Sequence, residues 1–138
     1  MTLQEIKAFF SDRDKFARHC GVELLEVSEG RAKAKMEIAE AHLNGVNIVH
    51  GAAIFTLADL VFAAASNSHG TVSVAINANI SFLKAATKGT LTAEAEEVSS
   101  HPRLGTYDIK IRDEGGDLVA TFQGMVYRKR DSLESIIG

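Results

Sequence analysis

The chain has 138 residues and a formal charge of −3, with 18 acidic and 15 basic side chains. That length suits one domain with a sizeable core, and 46% hydrophobic residues exclude a long disordered part. A nucleic-acid surface would need a basic excess that this chain lacks.

Leu3, Ile6, Phe9 and Phe10 recur at helical spacing, and Phe16 and Ala17 extend that pattern into a second turn or helix before Gly21 stops it. "VELLEVSEG" and "RAKAKMEI" follow as a predicted hairpin turning at Ser28 to Gly30. In its second arm Ala32, Ala34, Met36 and Ile38 alternate with charged residues, which marks a strand with one wet face. After the loop "AHLNGVNIVHG" comes a predicted helix from about Gly51 to Ser68, rich in Ala and Leu. It is apolar nearly all round, as a buried helix is.

The remainder reads as four strands. "VSVAINANISFL" is expected to show Val72, Val74, Ile76, Ala78, Ile80 and Phe82 on one face. "TLTAEAEEV" follows a turn at Lys88-Gly89. "TYDIKIR", the turn "DEGGD" and "LVATFQGMVYRK" complete the set, with a short helix or frayed end after them. Strands this close in sequence are expected to pair antiparallel. One apolar helix needs a cover, and one antiparallel sheet curled around it supplies one. The expected class is α+β, a hotdog arrangement, as a single domain over residues 1–138 whose edge strands invite a second chain.

The longest apolar run, Leu60 to Ala65, falls far short of the ~20 residues that span a bilayer. The start, "MTLQEIKAFFSDRDKF", lacks a signal-peptide core. The lone Cys20 forms no intrachain disulfide, which suits a reducing compartment. A cytoplasmic protein with no membrane partner is expected.

The candidate chemistry lies between His42 and Gly70. Asp59 is a carboxylate in an apolar helix and must be paired, protonated or working. Gly51 opens that helix, where backbone N–H groups have no internal partner and the dipole favours negative charge. Asn44 reads as a turn residue. His50 reads equally as a cap or as an active group. His42 and His50 lack a third ligand at a known spacing, so no metal is expected. Ser66, Asn67 and Ser68 read as a helix stop. Arg128, Lys129 and Arg130 read as a solvated strand end, with phosphate contact the less favoured alternative. Cys20 reads as a small packed residue.

"HLNGVNIVHGAAIFTLADLVFAAASNSHG" resembles the PaaI-type hotdog acyl-CoA thioesterases. The matching motif is Asn44, then His50-Gly51-Ala52, then Leu57-Ala58-Asp59, with Ala52 where many relatives carry a second glycine. The resemblance implies an acyl-CoA thioesterase acting on an aryl- or fatty-acyl-CoA. It implies Asp59 as general base or nucleophile and the Gly51 N–H as oxyanion donor. Asn44 would hold the carbonyl or the attacking water, and His50 would orient the thioester end. No cofactor is implied, because coenzyme A is part of substrate and product. A non-catalytic acyl-CoA-binding module is the alternative. A hotdog dehydratase ranks below it, since this loop carries no Pro-Gly after the His.

One consequence comes from geometry. Asp59 lies eight residues beyond Gly51, which is about 12 Å along a straight helix. One carbonyl cannot touch both groups of one helix. A dimer with composite sites is therefore expected, Asn44, His50 and Gly51 of one chain facing Asp59 of the other. The resemblance extends this to tetramers built from paired dimers.

Overall fold

The computed structural model describes residues 1–137. Helix α1 spans Leu3–Arg13. A reciprocal cap opens it: the Thr2 hydroxyl accepts from the Glu5 N–H, and the Glu5 carboxylate accepts from the Thr2 N–H. Asp14 ends α1, and its carboxylate caps α2 (Lys15–His19) at the Ala17 N–H, 3.0 Å away. Strands β1 (Val22–Ser28) and β2 (Arg31–Glu37) form the hairpin, with Gly30 supplying the positive φ of +70° that its turn needs. Helix α3 spans Gly51–Ser66. Strands β3 (Thr71–Phe82), β4 (Thr90–Ser100), β5 (Leu104–Arg112) and β6 (Leu118–Ser132) follow, then a short α4 (Glu134–Ile137).

The six strands make one antiparallel sheet in the order β1-β2-β4-β5-β6-β3. Every neighbouring pair is antiparallel, but β3 and β4 do not pair, contrary to expectation. Helix α3 carries the chain from β2 to the far edge, so β3 docks on β6 and β4 returns to lie beside β2. That route wraps both ends of the sheet around the helix. Alanines on the inner face, Ala32, Ala34, Ala93 and Ala95, let α3 approach closely. At the centre the Phe62 ring meets Tyr107 and Phe122 at centroid distances of 5.9 and 5.5 Å. Gly124 is required beneath it, because a Cβ there would come within 2.4 Å of the Phe62 ring.

Two patterns differ from expectation. Helix α3 is not sealed all round: Ala52, Phe55 and Asp59, spaced i, i+3 and i+7, lie on a stripe open to solvent in the single chain. Nor does β3 keep one apolar face. A register shift between Ala75 and Asn77 places Val74 opposite Tyr127 on the outer face. Ala78, Ile80 and Phe82 lie opposite Gly124, Phe122 and Ala120 on the helix side. A one-residue slip exchanges the two faces of a strand, and this bulge does so midway.

The far end of α3 is closed by buried polar groups. Asn67 donates to the Ala63 carbonyl (2.8 Å) and accepts from the Ser73 N–H (2.8 Å). The Ser68 hydroxyl accepts from the Gly30 N–H at 2.8 Å, and the Ser73 hydroxyl donates to the Ser66 carbonyl at 2.9 Å. Arg128 corrects the surface reading of the basic run. It is 6% exposed, and its guanidinium donates to the carbonyls of His101 and Leu104 and to the Tyr107 hydroxyl. Tyr107 in turn donates to Glu97 at 2.6 Å, which also meets His69 at 2.8 Å. Lys129 and Arg130 are exposed, as expected. No described helix is long and apolar enough to cross a membrane.

Candidate active site

The loop between β2 and α3 is tied at four points before it reaches the helix. His42 caps a single 3₁₀ turn, Glu40–His42. Its Nδ1 accepts from the Ala39 N–H, so its Nε2 carries the proton and donates to the Cys20 carbonyl at 2.6 Å. Leu43 and Val49 form an isolated antiparallel bridge, and the Val49 N–H donates to the Ala86 carbonyl at 2.8 Å. Asn47 takes a positive φ of 60°, which its side chain tolerates better than most.

Within this loop Asn44 divides its amide between two tasks. The Oδ1 accepts from the N–H groups of Val46 (3.0 Å) and Ile48 (3.3 Å), the turn role foreseen for a loop asparagine. The Nδ2 has no acceptor among the described residues, so its donors are unspent. His50 is the N-cap of α3: its Nδ1 accepts from the Ala52 N–H at 3.0 Å. That is the capping role. The cap leaves the Gly51 N–H without an acceptor among the described residues, at the positive end of a 16-residue helix.

Asn44 and Gly51 line one groove of 420 Å³, whose other walls include Ile48, Val49, Ile54, Phe82 and Ala86. Two residues with unspent donors thus line one cleft of mixed polarity, which Lys84 also lines. The sequence reading missed Phe82, whose ring covers Gly51: a Cβ built there would lie 2.9 Å from the Phe82 Cζ.

Asp59 is elsewhere. It lies eight residues along an unbroken α3, about 12 Å from Gly51, and does not line that groove. It forms no hydrogen bond or ion pair among the described residues. One side of it is open to solvent in the single chain. Its carboxyl is nonetheless raised above the ordinary value, first by desolvation among the packed atoms around it and second by the like charge of Asp14. The single chain therefore brings Asn44 and Gly51 to one groove, places His50 beside it as the helix cap, and leaves Asp59 apart. No group of three His, Cys, Asp or Glu among the described residues is placed to hold a metal.

The Thioesterase superfamily model matches residues 46–120, from the Asn44 loop through α3 and into β6. Acyl-coenzyme A thioesterase PaaI of Escherichia coli is 36% identical over 118 residues, 85% of this chain and 84% of that one. The chain belongs to the thioesterase superfamily, in its PaaI-type hotdog branch. The solved structure of E. coli PaaI, from the phenylacetic acid degradation operon, aligns with a TM-score of 0.91 at 33% identity. That alignment covers 94% of this chain and 95% of the other. A protein of Archaeoglobus fulgidus that carries a provisional esterase name is 40% identical over 132 residues, 95% of this chain and 86% of its own. The hotdog sheet-and-helix architecture expected from the sequence is the one observed, and this PaaI-type chain is a thioester hydrolase by family.

Proposed function

We propose that this thioesterase hydrolyses an acyl-CoA to the free acid and coenzyme A, in the cytoplasm, without a cofactor. The observation that carries this reading is the pair of unspent donors, Gly51 N–H and Asn44 Nδ2, on residues that line one groove at a helix N-terminus. A thioester oxygen placed between them gains stabilisation as it becomes an oxyanion. Asp59 supplies the base or the nucleophile. As base, it takes a proton from water while the water oxygen bonds to the carbonyl carbon. The tetrahedral oxyanion collapses, the C–S bond breaks, and the leaving thiolate regains the proton. As nucleophile, its oxygen bonds to the carbonyl carbon first, the thiolate leaves, and water cleaves the resulting anhydride. His50 holds the helix start and the approach to the thioester end.

The separation of Asp59 from Gly51 along α3 requires a second chain. Two open surfaces suit one: the free edge of β3, where Val74 and Ile76 are exposed, and the α3 stripe of Ala52, Phe55 and Asp59. Asp59 of one protomer would then serve the groove of its partner, and dimers would pair into a tetramer. The free Cys20 fits the reducing compartment.

The test is thiol release from a panel of aryl- and fatty-acyl-CoAs by the wild type and Asp59→Asn. Release that depends on Asp59 supports the reading. Tight acyl-CoA binding with no release from any member would leave a binding module in its place, and hydration of an enoyl-CoA would indicate a dehydratase. Mixing inactive Asp59→Asn with inactive Asn44→Asp protomers tests the composite site, since activity returns only if each protomer lends its intact half. In single-turnover hydrolysis in heavy-oxygen water, label entering Asp59 marks the nucleophile route, with water attacking the aspartyl carbonyl of the anhydride.

A further inference from the structure

Phe82 is in none of the roles above, yet, chain neighbours aside, it is the side chain nearest to where a Cβ on Gly51 would stand. Its position at the end of β3 is fixed by the pairing of Phe82 with Ala120 and by the Leu83 N–H donating to the Val119 carbonyl at 2.8 Å. Phe82 lines the groove and is 53% exposed in the single chain, so it bounds the ligand space as well as making a packing contact.

Its distance to the reacting centre can be bounded. The Phe82 Cζ lies 2.9 Å from the ideal Cβ position of Gly51. Standard bond lengths put that position about 2.5 Å from the Gly51 nitrogen, so the ring edge is within roughly 5.4 Å of the nitrogen. A Cα–Cβ bond tilts toward the helix N-terminus, so the ring lies at the end where the Gly51 N–H is free. A thioester oxygen accepting that N–H sits about 2.9 Å from the nitrogen, which brings the acyl α-carbon within about 5 Å of it. Both figures are bounds from one nitrogen, and because Phe82 and Gly51 line the same groove, the ring bounds the space open to the α-carbon. Ile54 and Val49, also in the groove wall, are each 4% exposed and have little room to yield.

We infer that Phe82 is a specificity-determining residue that reads substitution at the acyl α-carbon, admitting a methylene and rejecting a branched or quaternary centre. This rests on the Gly51 N–H acting as the oxyanion donor. The ring does its work before chemistry as well as during it, because a branched α-carbon keeps the oxygen out of hydrogen-bond range of the donor. Discrimination then shows in kcat as well as in KM.

The experiment compares butanoyl-CoA, isobutanoyl-CoA and pivaloyl-CoA as substrates for the wild type, Phe82→Leu and Phe82→Ala, each checked for native circular dichroism. In the wild type, kcat/KM falls about ten-fold or more with each added α-methyl group, the scale of one methyl in a tight apolar pocket. In Phe82→Ala that decline flattens by at least about ten-fold across the series, with Phe82→Leu between the two. An unchanged butanoyl-to-pivaloyl ratio in a folded Phe82→Leu or Phe82→Ala overturns the inference. Asp59→Asn on butanoyl-CoA runs alongside. If it abolishes release while the ratio stays fixed, only the role of Phe82 is lost. If it releases thiol as fast as the wild type, the catalytic role of Asp59 falls, and the butanoyl-to-pivaloyl ratio still decides the role of Phe82.

Discussion

The two ends of helix α3 handle polar groups in opposite ways. At the Ser66 end the hydroxyls of Ser66, Ser68 and Ser73 and both amide atoms of Asn67 are hydrogen-bonded, and the Arg128 guanidinium is held by two carbonyls and the Tyr107 hydroxyl, with only its Nε left unpartnered among the described residues. At the Gly51 end the N–H of Gly51 and the Nδ2 of Asn44 are left unspent beside a groove. Buried groups that are matched stabilise and rigidify, whereas unmatched donors persist only where something else is to accept them. The helix is thus anchored at one end and presented at the other.

The largest expected effect breaks the presented end through its distant carboxylate. Asp59→Asn is expected to lower kcat by about 10²–10⁴-fold, the range for a lost general base. Stability should move the other way. The folded chain binds the Asp59 proton more tightly than the unfolded chain does, because its carboxyl is raised by desolvation and by Asp14. Stability therefore falls as pH rises from the ordinary carboxylate value through the raised one, and the penalty is complete above it. Asparagine removes that penalty, so the thermal midpoint at neutral pH should be equal or higher. A variant that loses activity by unfolding would contradict this.

Next in size is Asn44→Asp, which keeps the acceptor for Val46 and Ile48 but removes the free donor. A kcat loss of about 10²–10³-fold with little change in thermal midpoint would mark Nδ2 as an oxyanion donor. Full activity would reduce Asn44 to a turn residue.

The anchored end is sharpened by Glu97→Gln. Burial works against the Glu97 charge, but hydrogen bonds from Tyr107 and His69 outweigh it and hold the carboxyl below its ordinary value. Its stabilisation is therefore present above the ordinary carboxylate value and is lost as pH falls through the lowered one. The variant should lose about 1–3 kcal/mol in urea unfolding, with kcat unchanged. A loss of activity without a loss of stability would blur the contrast between the two ends. The smallest effect is expected from Asp14→Asn, which keeps the cap on α2 but removes the like charge near Asp59. The acid limb of the pH–rate profile should move to lower pH.

The features most legible in the sequence were those with a clean period. The alternation of "RAKAKMEI" and "TYDIKIR" gave β2 and β5, and the unbroken apolar run gave α3 within two residues of its end. Gly51 and Asp59 could be set about 12 Å apart before any coordinates, because helix rise is fixed. What could not be read depended on partners far along the chain. The pairing of β3 with β6 follows from the path of α3 around the core, which local pattern does not encode. The bulge at Ile76 interrupts a run that looked uniform, because Ser73, Ala75, Asn77 and Asn79 are small enough to sit on either face. Arg128 had a signal that was passed over: it continues the inner row of Phe122, Gly124 and Val126, so strand period places it inside despite its charge. Phe82 had none, since its importance lies in what it leaves no room for.

The contact between Phe82 and Gly51 also constrains how this sequence can change. A single methyl group at Gly51 would meet the ring edge at 2.9 Å, so Gly51→Ala requires the Phe82 side chain to move. Once Phe82 shrinks, the same alanine becomes sterically free. The two positions are therefore coupled: a smaller side chain on the strand lowers the cost of a larger one at the helix start.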